Sequence, residues 1–392
     1  MERTNARTLL VPGALLPAGQ AAEILAAVRL PQLAGRLASA RWQATHHATG
    51  RCLGAAHWSW LAHTLGVAAD PPVTAPYAWR ALGDAARCAD EAASAWIAHC
   101  DPVHIVVARD HLRAADLGDE PLTDGECSAL LALANEAARA SGGATGPGGA
   151  PALSFAVRDG QWFVQAPAEL SIQTWPLDAV LGRSIQACLP AGSDARAWRR
   201  LENEIQMMWH ASAVSEAREA RGARAANALW LHGGGSWQAL AGRGIKAADP
   251  LGAAPYERGQ AVLHGWLEAG AAQPAARPAP ARILALHEGL FAAHAQRAWD
   301  RWLGGLAQLE ARIEDEAGRA MRDGATTFEL VLCGAREARR YRLAARPPGG
   351  GRAALGRWLR RIVRPGGAPR GPGPLGCLVE NEAAAGAAPP AR

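Results

Sequence analysis

Arginine, asparagine and glycine residues converge within one short stretch of the chain, and together they have the chemistry of an anion site. Arg218 and Arg221 are three residues apart near the end of a predicted helix, so their guanidinium groups share one face. The apolar segment 228–231 then predicts a short strand that ends at His232 and Gly233–Gly235. Guanidinium groups bind oxyanions through paired hydrogen bonds, and a glycine-rich turn presents backbone N–H groups. The predicted ligand-binding residues are Arg218, Arg221, Asn227, Gly233, Gly234, Gly235, Glu204 and His210.

The same stretch has a plainer interpretation. Gly233–Gly235 can form a tight turn where the strand leaves the sheet, and the arginines can simply face solvent. Three consecutive glycines are a weakly specific signal, whereas their proximity to two arginines and Asn227 favours binding. The sequence leaves three occupants of the turn open: an anion, the protein's own backbone, or nothing.

A second group of polar residues lies in DPVHIVVARDHLRAAD, residues 101–116. VHIVVA is a β-branched run preceded by Asp-Pro, which predicts a strand over 103–108. Strand ends in α/β proteins often carry site residues. The alternative is a solvated strand edge with an internal Arg–Asp ion pair. The secondary candidates are Asp101, His104, Arg109, Asp110 and His111.

The twelve histidines show no metal-binding spacing. The chain contains no HExxH, HxH or DxxGH motif, and His57 and His63 are too far apart along a helix to share a face well. We therefore predict no metal and no cofactor. The alternative is a nonstandard manganese or magnesium site with ligands from His104, Asp110, His111 and Asp249.

Strand and helix patterns alternate along the chain. Apolar or β-branched runs predict strands at 8–13, 103–108, 228–231, 282–286, 326–333 and 339–345, and Asp-Gly within 152–165 predicts a hairpin. Apolar spacing predicts helices within 20–40, 50–65, 76–98, 194–220, 288–323 and 355–363, and TDGE at 123–126 opens another with a capping box. The pattern predicts the α/β class: a layered mixed sheet with flanking helices.

Glycine and proline mark the predicted boundaries. Residues 140–151 are expected to be a linker or loop between an N-terminal α/β part, 1–139, and a C-terminal α/β part, 152–345. Residues 346–392 are expected to form a basic, largely disordered tail.

Positive charge is concentrated near the C-terminus. The net charge is +5, but residues 336–370 hold eleven arginines and one acid, Glu337. Such a segment can bind nucleic acid or an acidic protein. No uninterrupted apolar run approaches about 18 residues, so we predict no membrane span. Seven dispersed cysteines favour reduced thiols and a cytoplasmic location.

The segment LENEIQMMWHASAVSEAREARGARAANALWLHGGG, residues 201–235, resembles the proteobacterial RpfE-type regulatory proteins, whose members are often named phosphoglycerate mutase. DPVHIVVARDHLRAAD and an N-terminal strand that ends in Pro-Gly also fit this family. The resemblance covers most of 8–345. One departure is Ser215, which stands where the family usually has asparagine.

The arginine, asparagine and glycine pattern is also similar to a segment of the archaeal-type, cofactor-independent phosphoglycerate mutases of the alkaline phosphatase superfamily. That similarity implies a phosphosugar beside Arg218, Arg221, Asn227 and Gly233–Gly235. The superfamily carries a metal-binding aspartate after its first strand and a DxxGH-type motif, whereas this chain has LLVPGALLP and no DxxGH. The resemblance therefore implies a reduced, phosphoglycerate-mutase-like fold that has lost its metal machinery, a pseudoenzyme with a regulatory or anion-binding function. The alternatives are a metal-dependent phosphotransferase and an adaptor that acts through the arginine-rich tail.

Overall fold

The computed structural model describes residues 6–67, 70–83, 96–107, 111–118, 120–141, 153–250, 258–271, 282–346 and 375–380. The strands are β1 Ala6–Val11, β2 Arg41–His47, β3 Trp96–Val107, β4 Leu112–Ala115, β5 Ser154–Arg158, β6 Gln161–Ala166, β7 Ala228–Ser236, β8 Ile245–Ala247, β9 Arg282–Leu286, β10 Thr327–Cys333 and β11 Glu337–Ala344. The helices are α1 Ala18–Ala26, α2 Pro31–Ala38, α3 Ala56–Leu65, α4 Ala75–Ala81, α5 Asp124–Ala140, α6 Leu177–Val180, α7 Ala195–His210, α8 Ala213–Ala220, α9 Arg258–Ala271, α10 Phe291–Ala295 and α11 Trp299–Arg322.

The strands form two sheets. The first is mixed and has the order β2-β11-β10-β1-β9-β8. Strands β10, β1, β9 and β8 are mutually parallel, whereas β11 is antiparallel to both of its neighbours, β10 and β2. The second is antiparallel and has the order β4-β3-β6-β5, with β7 paired to β3. Helices pack on the mixed sheet, so the predicted layered α/β class with a mixed sheet is confirmed.

Local sequence signals explain several element ends. Thr123 and Glu126 form the predicted capping box of α5. Asp159 and Gly160 both have positive φ and join β5 to β6 as the predicted hairpin. The single helix predicted over 194–220 is wrong, because the Ser212 hydroxyl accepts a hydrogen bond from the Ser215 N–H and starts a second helix there.

The prediction that a strand stops at His232 is also wrong. Strand β7 continues through Gly233–Gly235 to Ser236, and Gly235 pairs with Ile97 of β3. Ile97 pairs with Gly235 and His99 pairs with His232, so one residue of β3 faces both Gly233 and Gly234, and the bulge is in β7. The glycines therefore belong to the sheet and do not form an exit turn.

One apolar cluster contains residues from both sheets. Leu10 of β1 and Leu286 of β9 belong to the same buried cluster as Ile97 of β3 and Phe163 of β6. Each sheet also takes strands from both sides of residues 140–151. That segment, most of which lies outside the described residues, does not separate one sheet from the other.

Residues 375–380, near the C-terminus, pack on the mixed-sheet layer, and the largely disordered tail predicted for 346–392 stays a prediction. The Leu378 side chain is fully buried in the core with Leu15 and Leu16. Its carbonyl accepts a hydrogen bond of 2.7 Å from the Leu16 N–H, and the Glu380 N–H donates to the Leu16 carbonyl. The predicted helix 355–363 and residues 347–374 lie outside the described residues.

None of the helices in the described ranges has the length and apolar character needed to cross a bilayer.

Candidate functional site

A buried group of charged and imidazole side chains lies between the two sheets, and we call it the polar centre. Strands β3 and β7 supply one side, helices α3 and α6 supply another, and the first residue of α9 enters between them. The polar centre consists of His57, His99, Asp101, Asp178, His232 and Arg258.

Each aspartate of the polar centre uses its two oxygens differently. Asp101 accepts from His232 Nε2 at 2.7 Å on Oδ2, whereas its Oδ1 faces an Arg258 terminal nitrogen at 2.6 Å. Asp178 accepts from His57 Nε2 at 3.2 Å and from Trp58 Nε1 at 2.6 Å on Oδ2. Its Oδ1 lies 3.8 Å from the other terminal nitrogen of Arg258. The guanidinium thus bridges two carboxylates, each oriented by an imidazole.

His99 completes the polar centre. Its side chain is fully buried, and its ring stacks on His232 with centroids 4.9 Å apart. Neither of its ring nitrogens has a hydrogen-bond partner among the described residues, and the same is true of His57 Nδ1. A buried polar atom that no protein group satisfies marks a place for ordered water or a ligand. The polar centre therefore has unused hydrogen-bonding capacity.

The electrostatics keep the carboxylates ionised and two imidazoles neutral. Burial opposes ionisation of Asp178, but the hydrogen bond and charge of His57 and the charge of Arg258 outweigh it and lower its pKa to about 2. Burial also opposes ionisation of Asp101, but the charge of Arg258 and the hydrogen bond from His232 outweigh it and hold the Asp101 pKa below its usual range. Burial lowers the pKa of His232 and, more strongly, that of His99. Two ionised carboxylates therefore face one guanidinium.

The end of strand β9 fixes the position of Arg258. The Gly259 N–H donates to Glu288 Oε1 at 3.3 Å, and Gln260 donates to the Leu286 carbonyl at 3.2 Å. A Cβ atom at Gly259 would lie only 2.6 to 2.8 Å from the ends of the Glu288 and Leu286 side chains, so glycine lets α9 approach β9 without displacing them. The carboxyl ends of parallel strands are where α/β sheets usually bind ligands.

The polar centre does not fit a divalent metal ion. Metal–oxygen bonds are only about 2.0–2.6 Å long, so an ion bound by Asp101 and Asp178 would have to displace Arg258 from between them. His57 and His232 already use Nε2 on those carboxylates. Within the ranges that the structure describes, no three histidine, cysteine or acidic side chains are arranged to hold a metal.

Arg218 is not directed toward the glycines of β7. Its side chain is 0% exposed and donates to the carbonyls of Glu120, Pro121 and Arg224. It also pairs with Glu126 at 3.0 Å. Arg221 is part of the same network, because it pairs with Glu120 and Glu126 at 3.0 and 2.7 Å. The two arginines join α8 to the start of α5, and their predicted role in ligand binding stays a prediction.

The three glycines make room for neighbouring parts of the protein. A Cβ atom at Gly233 would overlap the Thr74 hydroxyl, and Gly233 has a positive φ of 60°. A Cβ atom at Gly234 would overlap the Trp96 ring, and one at Gly235 would lie 2.7 Å from Val73. Among the three occupants that the sequence leaves open, the contacts favour the protein's own chain.

The other predicted ligand-binding residues lie in separate places. Asn227 accepts from the Ile105 N–H at 2.6 Å and donates to the Ile105 carbonyl, which joins it to β3. Glu204 on α7 accepts from the Ser141 hydroxyl. His210 is exposed at the end of the same helix. The polar centre contains none of these three residues.

Ser215 is buried in the first turn of α8. Its hydroxyl donates to the Trp209 carbonyl at 2.6 Å, which joins α8 to α7.

Of the secondary candidates, Asp101 is part of the polar centre. His104 Nδ1 donates to the Ala225 carbonyl at 2.8 Å. Arg109 and Asp110 lie outside the described residues, and His111 immediately precedes β4. Asp249, the further ligand of the alternative metal set, is bound by Arg312 and Arg319. That alternative set is therefore not assembled among the described residues.

Most residues of the polar centre are not among the binding residues that the sequence predicts. His99 and Asp101 are two residues apart in β3, so their side chains lie on one face of an otherwise apolar strand. Two polar side chains on a buried strand face are a signal that could have been used. Asp178 and Arg258 belong to distant elements, and no local pattern connects them to that face.

The solved structures that resemble this chain include two at low sequence identity. The cofactor-independent phosphoglycerate mutase from Thermoplasma acidophilum is 13% identical with a TM-score of 0.34, and the match covers 87% of this chain and 90% of that one. The PH0037 protein from Pyrococcus horikoshii is 11% identical with a TM-score of 0.42, over 90% of this chain and 92% of that one. At these TM-scores neither match carries an inference about function or corresponding residues. No family model and no curated protein matches the chain.

Proposed function

We propose that this chain is a ligand-binding protein with a regulatory role, and that a small polar molecule occupies the polar centre. The observation that carries this proposal is His99, a fully buried imidazole whose two ring nitrogens have no hydrogen-bond partner among the described residues. An unsatisfied buried polar group costs about 1–3 kcal/mol. A ligand that bonds to His99 and His57 Nδ1 would remove that cost.

The charges of the polar centre favour a particular class of ligand. Two ionised carboxylates outnumber Arg258, and His99 and His232 are neutral because burial lowers their pKa values. A neutral or cationic molecule with several hydroxyl or amino groups suits this balance. The phosphosugar-type anion predicted from the sequence would bind only if the imidazoles took up protons, so its affinity should rise as the pH falls.

The test is thermal unfolding of the full chain with three ligand classes: neutral polyols, polyamines and 3-phosphoglycerate. A ligand that binds only the folded protein raises the unfolding midpoint, by about 2.7 kcal/mol at a hundred times its Kd. We expect a shift with a polyol or a polyamine that the His99→Leu variant loses and Arg221→Ala keeps.

Two outcomes would contradict the proposal. A shift that persists in His99→Leu but disappears in Arg221→Ala would assign the ligand to the arginine network of α8. No shift with any class would remove the case for a small-molecule site.

The two alternatives from the sequence stay predictions. A metal-dependent phosphotransferase needs a ligand set that the described residues do not form. An adaptor would act through the arginine-rich segment. The first part of that segment is strand β11, where Arg339 pairs with Glu337 and Arg340 lies 3.7 Å from Glu329. Residues 347–370, which hold the remaining basic charge beyond Arg346, lie outside the described residues.

A further inference from the structure

The misfit between the polar centre and a metal ion has a specific cause, which is Arg258. The second oxygens of Asp101 and Asp178 both face its guanidinium, at 2.6 and 3.8 Å. The first oxygens are held by His232 and by His57 with Trp58. Supporting hydrogen bonds of this kind orient carboxylates that bind a cation.

We infer that Arg258 is the resident cation of the polar centre, a side chain that supplies the positive charge a bound divalent metal would otherwise bring. This inference is independent of which small molecule binds the wild-type protein. It concerns why the two carboxylates can be buried together and what would replace the guanidinium.

Three observations support this assignment. The Arg258 side chain is only 21% exposed, so its charge is little screened by solvent. Asp101, Asp178 and Glu288 each raise its pKa, although burial opposes them, so the guanidinium remains charged. Gly259 allows α9 to approach β9 closely enough to place Arg258 between the carboxylates.

Removal of the guanidinium should leave a cation site. In an Arg258→Ala variant, Oδ1 of Asp101 and Oδ1 of Asp178 would face a space of guanidinium size with no positive charge. Carboxylate oxygens are suitable ligands for Mn²⁺ and Mg²⁺, which can complete their coordination with water. The variant should therefore bind Mn²⁺, whereas the wild-type protein should not bind it at this position.

The experiment compares full-length wild type, Arg258→Ala and Arg258→Lys by thermal unfolding in EDTA and then in increasing Mn²⁺ or methylguanidinium. We expect a lowered midpoint for Arg258→Ala that rises progressively with either cation, and no shift of the wild-type midpoint with Mn²⁺ or methylguanidinium. Arg258→Lys keeps the charge and should not respond to Mn²⁺. Arg80→Ala removes an arginine of the same exposed fraction from its pair with Glu268, and this control should respond to neither cation.

Electron paramagnetic resonance gives a second readout. Mn²⁺ should bind stoichiometrically to Arg258→Ala, and the double variant with Asp101→Asn should lose that binding. If Arg258→Ala does not fold without an added cation, the yield of refolded protein is measured in place of the unfolding midpoint. That yield should be higher with Mn²⁺ or methylguanidinium than without them.

The inference is overturned if wild type and Arg258→Ala bind Mn²⁺ equally, or if neither cation restores the variant. A variant as stable as wild type in EDTA would also overturn it, because the carboxylates would then need no cation. None of these outcomes decides whether a polyol or a polyamine binds the wild-type protein, so failure here is distinguishable from failure of the proposed function.

Discussion

Arg218 extends from helix α8 to Glu126 in the first turn of helix α5, where the two side chains pair at 3.0 Å. Arg221 contacts the second oxygen of the same carboxylate at 2.7 Å. Burial opposes the charge of Glu126, but the Arg221 and Thr123 hydrogen bonds and the Arg218 charge lower its pKa from 4.5 to about 2. One carboxylate thus caps a helix and joins two helices.

The lowered pKa of Glu126 predicts a component of stability that is lost in acid. The folded protein binds this proton more weakly than the unfolded chain, so the contribution is complete above pH 4.5 and decreases as the pH falls toward 2. Urea unfolding of wild type and Glu126→Gln between about pH 6 and about pH 3 measures it. The difference in unfolding free energy between them should shrink with acidification, and a constant difference would show that the ionised carboxylate contributes nothing.

We expect Asp101→Asn to destabilise the fold strongly. The change leaves Arg258 with one charged partner where it had two and removes a good acceptor from His232, both in a buried setting. Removal of one partner from a buried ion pair costs about 3–5 kcal/mol. Denaturant unfolding measures the loss, and Glu219→Gln, which neutralises an exposed carboxylate on α8, is the control that should change little. Equal effects of the two variants would contradict a buried ionic centre.

The packing of β7 predicts that Gly233→Ala destabilises the protein by more than about 1 kcal/mol. The backbone there has a φ of +60°, and the added methyl group would overlap the Thr74 hydroxyl. Gly304→Ala is the matched control, since Gly304 lies in helix α11 and a Cβ atom there meets nothing within 4 Å. That control should be neutral or stabilise by about 0.5–1 kcal/mol. Comparable losses in both variants would mean that the contact with Thr74 is not the cause.

The sequence predicted the elements better than the site. The capping box, the Asp-Gly hairpin and strand 282–286 depend on neighbouring residues, and all three are present as expected. The glycines of β7 were misassigned because a glycine run is typical of turns, whereas here partner β3 and the bulky Trp96 determine its conformation. Sheet pairing is a tertiary property, so no local pattern contains it.

The polar centre could not be predicted from local patterns either, because its residues meet only in the folded protein. Asp178 comes from a four-residue helix and Arg258 from the first position of α9, and neither lies in a recognisable motif. The arginines that do lie in a motif-like run, Arg218 and Arg221, are bound by acids near residue 120. Spacing along the chain shows which groups can share a face but not which distant charges will meet.

Glu202 on α7 provides a test in the opposite pH direction. Burial raises its pKa to about 7, although Arg199 partly offsets the effect. The folded protein therefore binds this proton more tightly than the unfolded chain, and stability is lost as the pH rises from 4.5 through about 7. Glu202→Gln should raise the unfolding midpoint by on the order of 2 °C near pH 8 and by less near pH 4.5. A midpoint increase that does not depend on pH would contradict the raised pKa.

The docked segment 375–380 predicts that Leu378→Ala costs about 2–5 kcal/mol, because Leu378 is fully buried in the apolar core. Denaturant unfolding measures the change. Met321 on α11, which is 45% exposed, supplies the control, because Met321→Ala removes apolar volume from a partly solvated side chain and should cost less than Leu378→Ala. A loss below about 1 kcal/mol for Leu378→Ala would mean that the segment is only loosely associated.

The position of β1 has a consequence for how the protein is made. Thr8 lies beside Leu284 of β9 on one side and Glu329 of β10 on the other, so β1 is synthesised long before either of its partners. Both edges of β1 therefore stay unpaired during most of translation, and the nascent chain exposes an apolar strand that chaperones would recognise. A premature stop before β9 would leave that strand without either neighbour, so truncated products should aggregate rather than accumulate as a folded fragment.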